Sequence, residues 1–483
     1  MKKLTTLILF ITGIIVALCI ISCNNEPDGK AKLNEYQIEV VYDEVEKTLD
    51  GKMTVDYVNN SDALLDEVCF HLYPNAYREG AQFSPIDESL KADAYENGVS
   101  YGGIDVNEVY VNGTVALYDI CGEDDDILRV YFDEIIEPTR SVSITVDFLV
   151  KIANVKHRLG YYDNVVNCGN WYPIACVKTQ DGFDSYPYYS NGDPFCSDCS
   201  DYKVKITVPS HLKVASSGQG NRVDSGLIAT YDLSISSARD FAFVIGNFKS
   251  ETAKCADVDV TYYYVEDDNA MHNLTTAVDS LSYFSSILQK YPYKTYSVVK
   301  TPFLHGGMEY PGLVMISDTL NSSLTEEAII HETAHQWWYG LVGNNEVEHA
   351  WMDEGLTEYS TTLFYEFNPS YNVSYKARMA DATSAYVIYS DVTQSDGVMD
   401  KNVNEFSSFD YTYLTYLKGA LMFDAVRKTL GDEAFFKALK QYCNEYAYKI
   451  ATPDEMIGAF EKSTNRAVKG VFDSFIYGKA QIF

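Results

Sequence analysis

The chain has 483 residues, 46% hydrophobic and 22% charged, an ordinary globular composition on a length too great for one core, so two domains are expected. With 37 basic against 69 acidic residues the formal net charge is −32, a surface that repels nucleic acid and anionic lipid headgroups and argues against either as a partner held by charge.

Lys2 and Lys3 precede an apolar stretch from Leu7 to Ile21, and Ile20-Ile21-Ser22-Cys23 closes it with a small residue before a cysteine. Residues 1–22 resemble a bacterial lipoprotein signal peptide, with Cys23 the lipid-attachment residue and 23–34, beginning Asn24-Asn25-Glu26-Pro27-Asp28-Gly29, a polar tether. An uncleaved transmembrane anchor is the alternative, since the stretch is nearly long enough to span. Either way the positive end stays in the cytoplasm and the body faces outward, so an extracytoplasmic, membrane-tethered protein is expected. Removing 1–22 takes away two lysines and no acid, leaving 35 basic against 69 acidic residues and a charge of −34.

From about 35 to 250 the pattern alternates in strand fashion, as in Tyr36-Gln37-Ile38-Glu39-Val40, Lys52-Met53-Thr54-Val55-Asp56-Tyr57, Ser141-Val142-Ser143-Ile144-Thr145-Val146 and Tyr202 to Val208. Turn residues at Asn59-Asn60, Asn112-Gly113 and Pro209-Ser210 punctuate these runs. Within this β half Cys168, Cys176, Cys196 and Cys199 cluster, ending in C-x-x-C. They are compatible with disulfides, a second metal site or free thiols.

Beyond the boundary near 250/251 the period changes. A strand at Val258 to Val265 and a helix from about Asn269 to Lys290 lead into an α+β half, 251–483, that is nearly all helical after Ser323. Before that point lies His305-Gly306-Gly307-Met308-Glu309-Tyr310-Pro311-Gly312, then the apolar run Leu313 to Ser317. The glycines permit close backbone approach, and an extended edge here could accept a peptide by strand addition with Glu309 projecting toward it. A turn with a solvated Glu309 is the plainer reading.

The helix that follows carries His331, Glu332 and His335. Ser323 and Glu326 have the form of a capping box, and Ala328, Ile329, Ile330, Ala334, Trp338 and Leu341 supply an apolar face, which places the motif mid-helix. At i and i+4 both imidazoles reach one ion, and Glu354, eighteen residues on and near the start of a helix from His349 to Phe367, comes round as third ligand. Three protein ligands leave the fourth position of a single catalytic Zn2+ open to water, with Glu332 beside it. Glu358, one turn past Glu354, is either an acceptor for a metal-bound imidazole or a solvated helix residue.

The glycine-Met-Glu segment, H-E-x-x-H, the eighteen-residue gap to Glu354 and Thr415-Tyr416-Leu417-Lys418-Gly419-Ala420 together resemble the gluzincin aminopeptidases, with Arg239 to Phe243 a looser match. That resemblance implies a saddle-like β domain followed by a thermolysin-like, mostly helical zinc catalytic domain. It implies that Glu332 activates water, Tyr416 donates to the oxyanion, and Glu309, carried on Gly306, Gly307 and Met308, binds the amino group of peptides with a free N-terminus. A zinc endopeptidase of the same fold is the alternative, and a catalytically dead peptide-binding surface lipoprotein a third. Three departures accompany the match. Tyr310 stands where many members have Asn, Tyr411 and Tyr413 compete with Tyr416, and the chain stops before the family's C-terminal helical domain, which implies a more open cleft.

Overall fold

The computed structural model describes residues 32–478, so the expectations for 1–22 and for Cys23 fall outside the described residues. Along strand Asn34–Asp43 every second side chain is buried, Tyr36, Ile38, Val40 and Tyr42 among them, as one face packed on a core requires. Thr48–Val58 pairs antiparallel with it and Ser141–Lys151 antiparallel with Thr48–Val58, while Ser200–Pro209 lies parallel on its other side, all within an eight-stranded sheet. The four runs read as strands lie inside these elements. Asn112 and Gly113 turn a two-residue hairpin with φ of 49° and 78°, the left-handed pair such a loop demands. Two four-stranded sheets complete this all-β half.

Residue 250 falls inside strand Lys249–Cys255, which pairs with Val258–Tyr264 and opens a five-stranded sheet of the second half. Val258–Tyr264, Thr295–Thr301 and Leu313–Ser317 run parallel, and helix Ala270–Ile287 supplies the crossover between the first two. Gly307–Met308 is an antiparallel edge strand, at the opposite end of the sheet from Lys249–Cys255. Helices dominate from Ser322 onward. Among the described residues no helix is long and apolar enough to cross a membrane.

Two details of the motif helix differ from expectation. It spans Ser322–Ala334, and its N-cap is Asn321, whose Oδ1 accepts from the amides of Ser323 (3.0 Å) and Leu324 (3.1 Å); Ser323 already sits in the first turn, past the capping position. The histidines end the helix rather than occupy its middle. His335 follows the last helical residue but keeps φ −60° and ψ −18°, so the one-turn spacing survives. The second metal-motif helix starts at Glu354 and runs to Phe367.

The two halves share one continuous core. Arg239, fully buried, fastens them through backbone carbonyls alone: Nε donates to Tyr339 O at 2.6 Å, and the terminal nitrogens donate to Ser197 O and Lys449 O at 2.9 and 2.5 Å. Cys168, Cys176, Cys196 and Cys199 are buried free thiols, and the groups of described side chains able to hold a metal include none of them.

Candidate active site

Three atoms converge at the end of the motif helix. His331 Nε2 and His335 Nε2 are 3.2 Å apart, and Glu354 Oε2 lies 3.3 Å from the first and 3.2 Å from the second. An ion bonded tetrahedrally at about 2.0–2.1 Å to each would require ligand separations of about 3.3 Å, so the donor triangle fits zinc. His335 Nδ1 lies 2.8 Å from the Trp338 carbonyl, which can only accept; Nδ1 therefore carries the proton and Nε2 is left bare.

Charge makes the same demand. Burial alone would depress both imidazoles, yet Glu354 and Glu358 push His331 up to about 10, and Glu309 and Glu354 push His335 well above its ordinary value. Glu354 is held below the usual carboxylate range by His335 and His331 against the opposing effect of burial. Without a cation, this buried cluster favours protonated imidazoles, which a metal needs neutral.

Glu332 is 6% exposed, and burial pushes its carboxyl up to about 7 against the pull of His331 and His335. It lies flat on Gly307: a Cβ there would sit 2.3 Å from Glu332 Oε1, so only glycine lets the edge strand come this close. Gly306 O accepts from Ser317 N and so points into the sheet. By strand alternation the amide and carbonyl of Gly307 face the open edge, where an extended peptide can pair.

Gln336, next after the motif, joins the two segments. Its Oε1 accepts from Gly312 N at 2.9 Å, and its Nε2 donates to Glu309 O and Tyr310 O at 3.3 and 3.1 Å. Glu309 Oε1 is thereby brought to 3.9 Å from His335 Nδ1, buried and without a hydrogen-bond partner. Burial, then Asp193, raises its carboxyl well above the usual range. An unpaired buried carboxylate is costly, and a cation docking there offsets part of that cost.

Gly306, Gly307 and Glu309 line a cavity of about 650 Å³ together with the metal-ligand triad, Glu332 and Tyr416. Met308 does not: its side chain is fully buried on the other face of the strand, where its Sδ accepts from Arg158 at 3.0 Å. Tyr310 is likewise buried away from the cavity, its hydroxyl donating to Asn170 Oδ1 at 2.7 Å, so the expected effect of this position on the first substrate pocket has no direct contact behind it.

Among the three tyrosines, Tyr416 donates to Glu354 Oε1 at 2.5 Å, while Tyr413 stacks on Tyr389 at 4.7 Å. Tyr411 lines the cavity beside Gly192. Tyr416 lies in the π-helical turn Thr412–Lys418, a departure from α-helical period that side-chain spacing does not announce. Gly419 follows it and meets Gly355 so closely that a Cβ on Gly419 would lie 2.6 Å from Gly355 Cα; the glycine pair lets helix Gly419–Leu430 carry the tyrosine up to Glu354. Lys418 is turned away and donates to Gly397 O and Phe475 O.

Several participants carry no sequence signal. Asp193, from a loop of the β half, faces the cavity and is ion-paired with Arg158, which also donates to Tyr188. Asn191 Nδ2 donates to Phe406 O at 2.7 Å and Ser408 Oγ to Asp87 Oδ2 at 2.8 Å, so the two halves bridge across the cavity. These pairs lie more than two hundred residues apart in sequence, beyond the reach of any local motif.

Residues 272–475 match the peptidase family M1 domain. Aminopeptidase M1-A of Oryza sativa subsp. japonica is 24% identical over 382 residues, covering 73% of this chain and 42% of the relative. Aminopeptidase N of Lactobacillus helveticus is 25% identical over 256 residues, 49% of this chain and 30% of the relative. The chain thus spans less than half the length of these curated relatives. Over nearly its whole length it shares the fold of the M1 zinc metallopeptidase from Deinococcus radiodurans, with TM-score 0.66, 17% identity, and coverage of 93% of this chain and 94% of that one. A mutant of that protein, crystallised with a Tyr-Ser-Ala substrate, matches equally, with TM-score 0.66 and 16% identity over 93% of this chain and 95% of that one. The second half of the chain, residues 272–475, is thus similar to the peptidase family M1 domain, and it encloses the donor triangle behind an all-β half that shares the fold of the Deinococcus radiodurans protein.

Proposed function

We propose that the protein is a zinc-dependent aminopeptidase that removes N-terminal residues from peptides, tethered at the outer face of the cell membrane through a lipid on Cys23. The observation that carries the reading is Glu309: a buried carboxyl whose Oε1 has no hydrogen-bond partner, beside the metal triad and lining one cavity with Asp193, is a socket for an ammonium group. His331, His335 and Glu354 would hold the ion, which supplies Lewis acidity when bound, polarising a carbonyl and acidifying water.

The chain's own residues account for the rest. Glu309, with Asp193 opposite, fixes the α-ammonium and so counts one residue to the scissile bond. Gly307 pairs with the peptide backbone along the open edge. Glu332, poised near neutrality by burial, accepts the proton of the attacking water and returns it to the leaving amine. Tyr416 stays protonated, since burial and then Glu354 raise its hydroxyl well above the ordinary value, and it donates to the oxyanion as charge develops there. Removing a single oxyanion donor in other hydrolases costs about 10²–10³ in kcat, which sets the scale for Tyr416.

The curated relatives are named aminopeptidases and the Deinococcus neighbour holds a peptide, both consistent with peptide substrates. The membrane location rests on Lys2, Lys3, the apolar stretch and Cys23. Hydrolysis of aminoacyl reporters with free and acetylated amino termini, by wild type and by Glu332→Gln, tests the activity. Equal cleavage of acetylated substrates would mean an endopeptidase, and an active Glu332→Gln would discard the general base. Metabolic labelling with a palmitate analogue, lost in Cys23→Ser, tests the tether.

A further inference from the structure

Glu358 stands between the metal site and a cation outside it. Its Oε2 lies 3.5 Å from His331 Nδ1, and its Oε1 accepts from Arg378 at 2.8 Å. Arg378 belongs to helix Tyr375–Thr393 and takes no part in the cavity wall. Its other terminal nitrogen reaches Glu327 of the motif helix at 2.7 Å, its Nε donates to Thr362 Oγ1 at 3.2 Å, and its guanidinium lies over the Tyr365 ring at 5.2 Å from the centroid. One planar cation therefore joins three helices: Ser322–Ala334 through Glu327, Glu354–Phe367 through Glu358 and Thr362, and its own.

We propose that Arg378 is a positioning residue for the metal, holding the Glu358 carboxylate against His331 Nδ1 so that His331 offers a bare Nε2 to the ion. The physical need is plain. Glu327 and Glu358 are two carboxylates on adjacent helices, both lining a cavity that already holds Glu309, Glu332 and Glu354. Left to itself Glu358 would be driven off by that negative field or swing to solvent, and His331 would lose the acceptor that selects its tautomer. The guanidinium fork satisfies both carboxylates at once and is pinned in direction by Thr362 and Tyr365. An ammonium is a point charge and cannot span them in that geometry. His335 needs no such device, because a backbone carbonyl orients it. This inference rests on the zinc site and not on which peptides are cut.

The test is the zinc dissociation constant, measured by chelator competition on purified protein, alongside kcat and KM with zinc saturating. Arg378→Gln is expected to weaken zinc about 10–100-fold, the range for loss of an outer partner of a metal-bound histidine. With zinc saturating, kcat falls several-fold and KM stays within twofold. Glu358→Gln has a similar effect, and the double variant adds little, because both act through one contact. Glu327→Gln removes only the far end of the fork and leaves zinc affinity within threefold, though it lowers the thermal midpoint. Arg378→Lys keeps the charge and one contact, so it serves where Arg378→Gln does not fold, and it weakens zinc at least threefold. Wild-type zinc affinity in a folded Arg378 variant, or full additivity with Glu358→Gln, overturns the proposal. Absent hydrolysis by wild type with the zinc pattern intact would instead count against the aminopeptidase reading alone.

Discussion

Gly307→Ala is the sharpest probe of the way the edge strand and the catalytic helix meet. A Cβ on Gly307 would stand 2.3 Å from Glu332 Oε1, 2.5 Å from Cδ and 2.6 Å from Cγ. Ordinary contact begins near 3.4 Å, so the carboxylate must retreat by about 1 Å, on the scale at which misplacement of a reacting group costs about 100-fold in rate. Gly307 has no left-handed φ, so alanine is tolerated by the backbone and the cost falls on Glu332. The three atoms nearest the new methyl all belong to Glu332 and none to His331, His335 or Glu354, so zinc content is expected to stay at the wild-type level. The assay is kcat and KM on a free aminoacyl reporter, with metal content and thermal midpoint measured on the same preparations. The expected result is a kcat reduced about 100-fold with zinc bound, set against Gly306→Ala, whose Cβ meets nothing within 4 Å and which lowers kcat less than tenfold. A zinc-loaded Gly307→Ala within threefold of wild type, or an equal fall in both variants, would refute the claim that this glycine exists to admit Glu332.

Glu309→Gln removes the carboxyl nearest the metal triad from the socket and lowers kcat/KM on free-amine substrates by about 10²-fold or more, the scale of losing a buried charge-assisted pair, while the slow cleavage of acetylated peptides stays put; matched losses on both substrates would contradict amine recognition. Tyr416→Phe removes the donor beside Glu354 and lowers kcat about 10²–10³-fold with KM little changed, whereas Tyr413→Phe, stacked away from the cavity, stays near wild type. Stability has its own pH signature. Burial pushes His71 down to about 4, so between pH 6.5 and 4 the unfolded chain binds a proton that the folded protein refuses; its contribution is complete above 6.5 and is lost as the pH falls through that window. His71→Phe, which can keep the stack on Tyr73, should reduce the pH slope of urea-unfolding free energy by about 1.4 kcal/mol per pH unit between those limits, and an unchanged slope would show that His71 is not the group responsible.

The resemblance read from four short motifs survived because each is local. His331 and His335 need only an α-helical turn between them, and that geometry holds even though the helix ends at Ala334 and is capped by Asn321 rather than Ser323. The long strands were legible because one face of each is buried, which writes a period of two into the sequence. Fully buried Leu313–Ser317 carries no alternation, so its period does not mark it as a strand. Tyr416 was the harder choice among three tyrosines, since the π-helical turn that aims it has no signature in hydrophobic spacing.

By itself, then, the sequence determined the order of the halves and pointed to the candidate metal ligands and the candidate base, all of which follow from local periods and spacings. Tertiary structure decided what those parts face. It placed Gln336 between the motif helix and the Gly-Met-Glu strand, turned Met308 and Tyr310 out of the cavity, and brought Asp193 in from the β half. It also set Arg378 behind Glu358 and left the clustered cysteines as thiols. The physical reason is that these arrangements are contacts between elements, made by packing and by the pairing of buried charge, and a chain records its local periods far more plainly than it records which distant side chain will neutralise which.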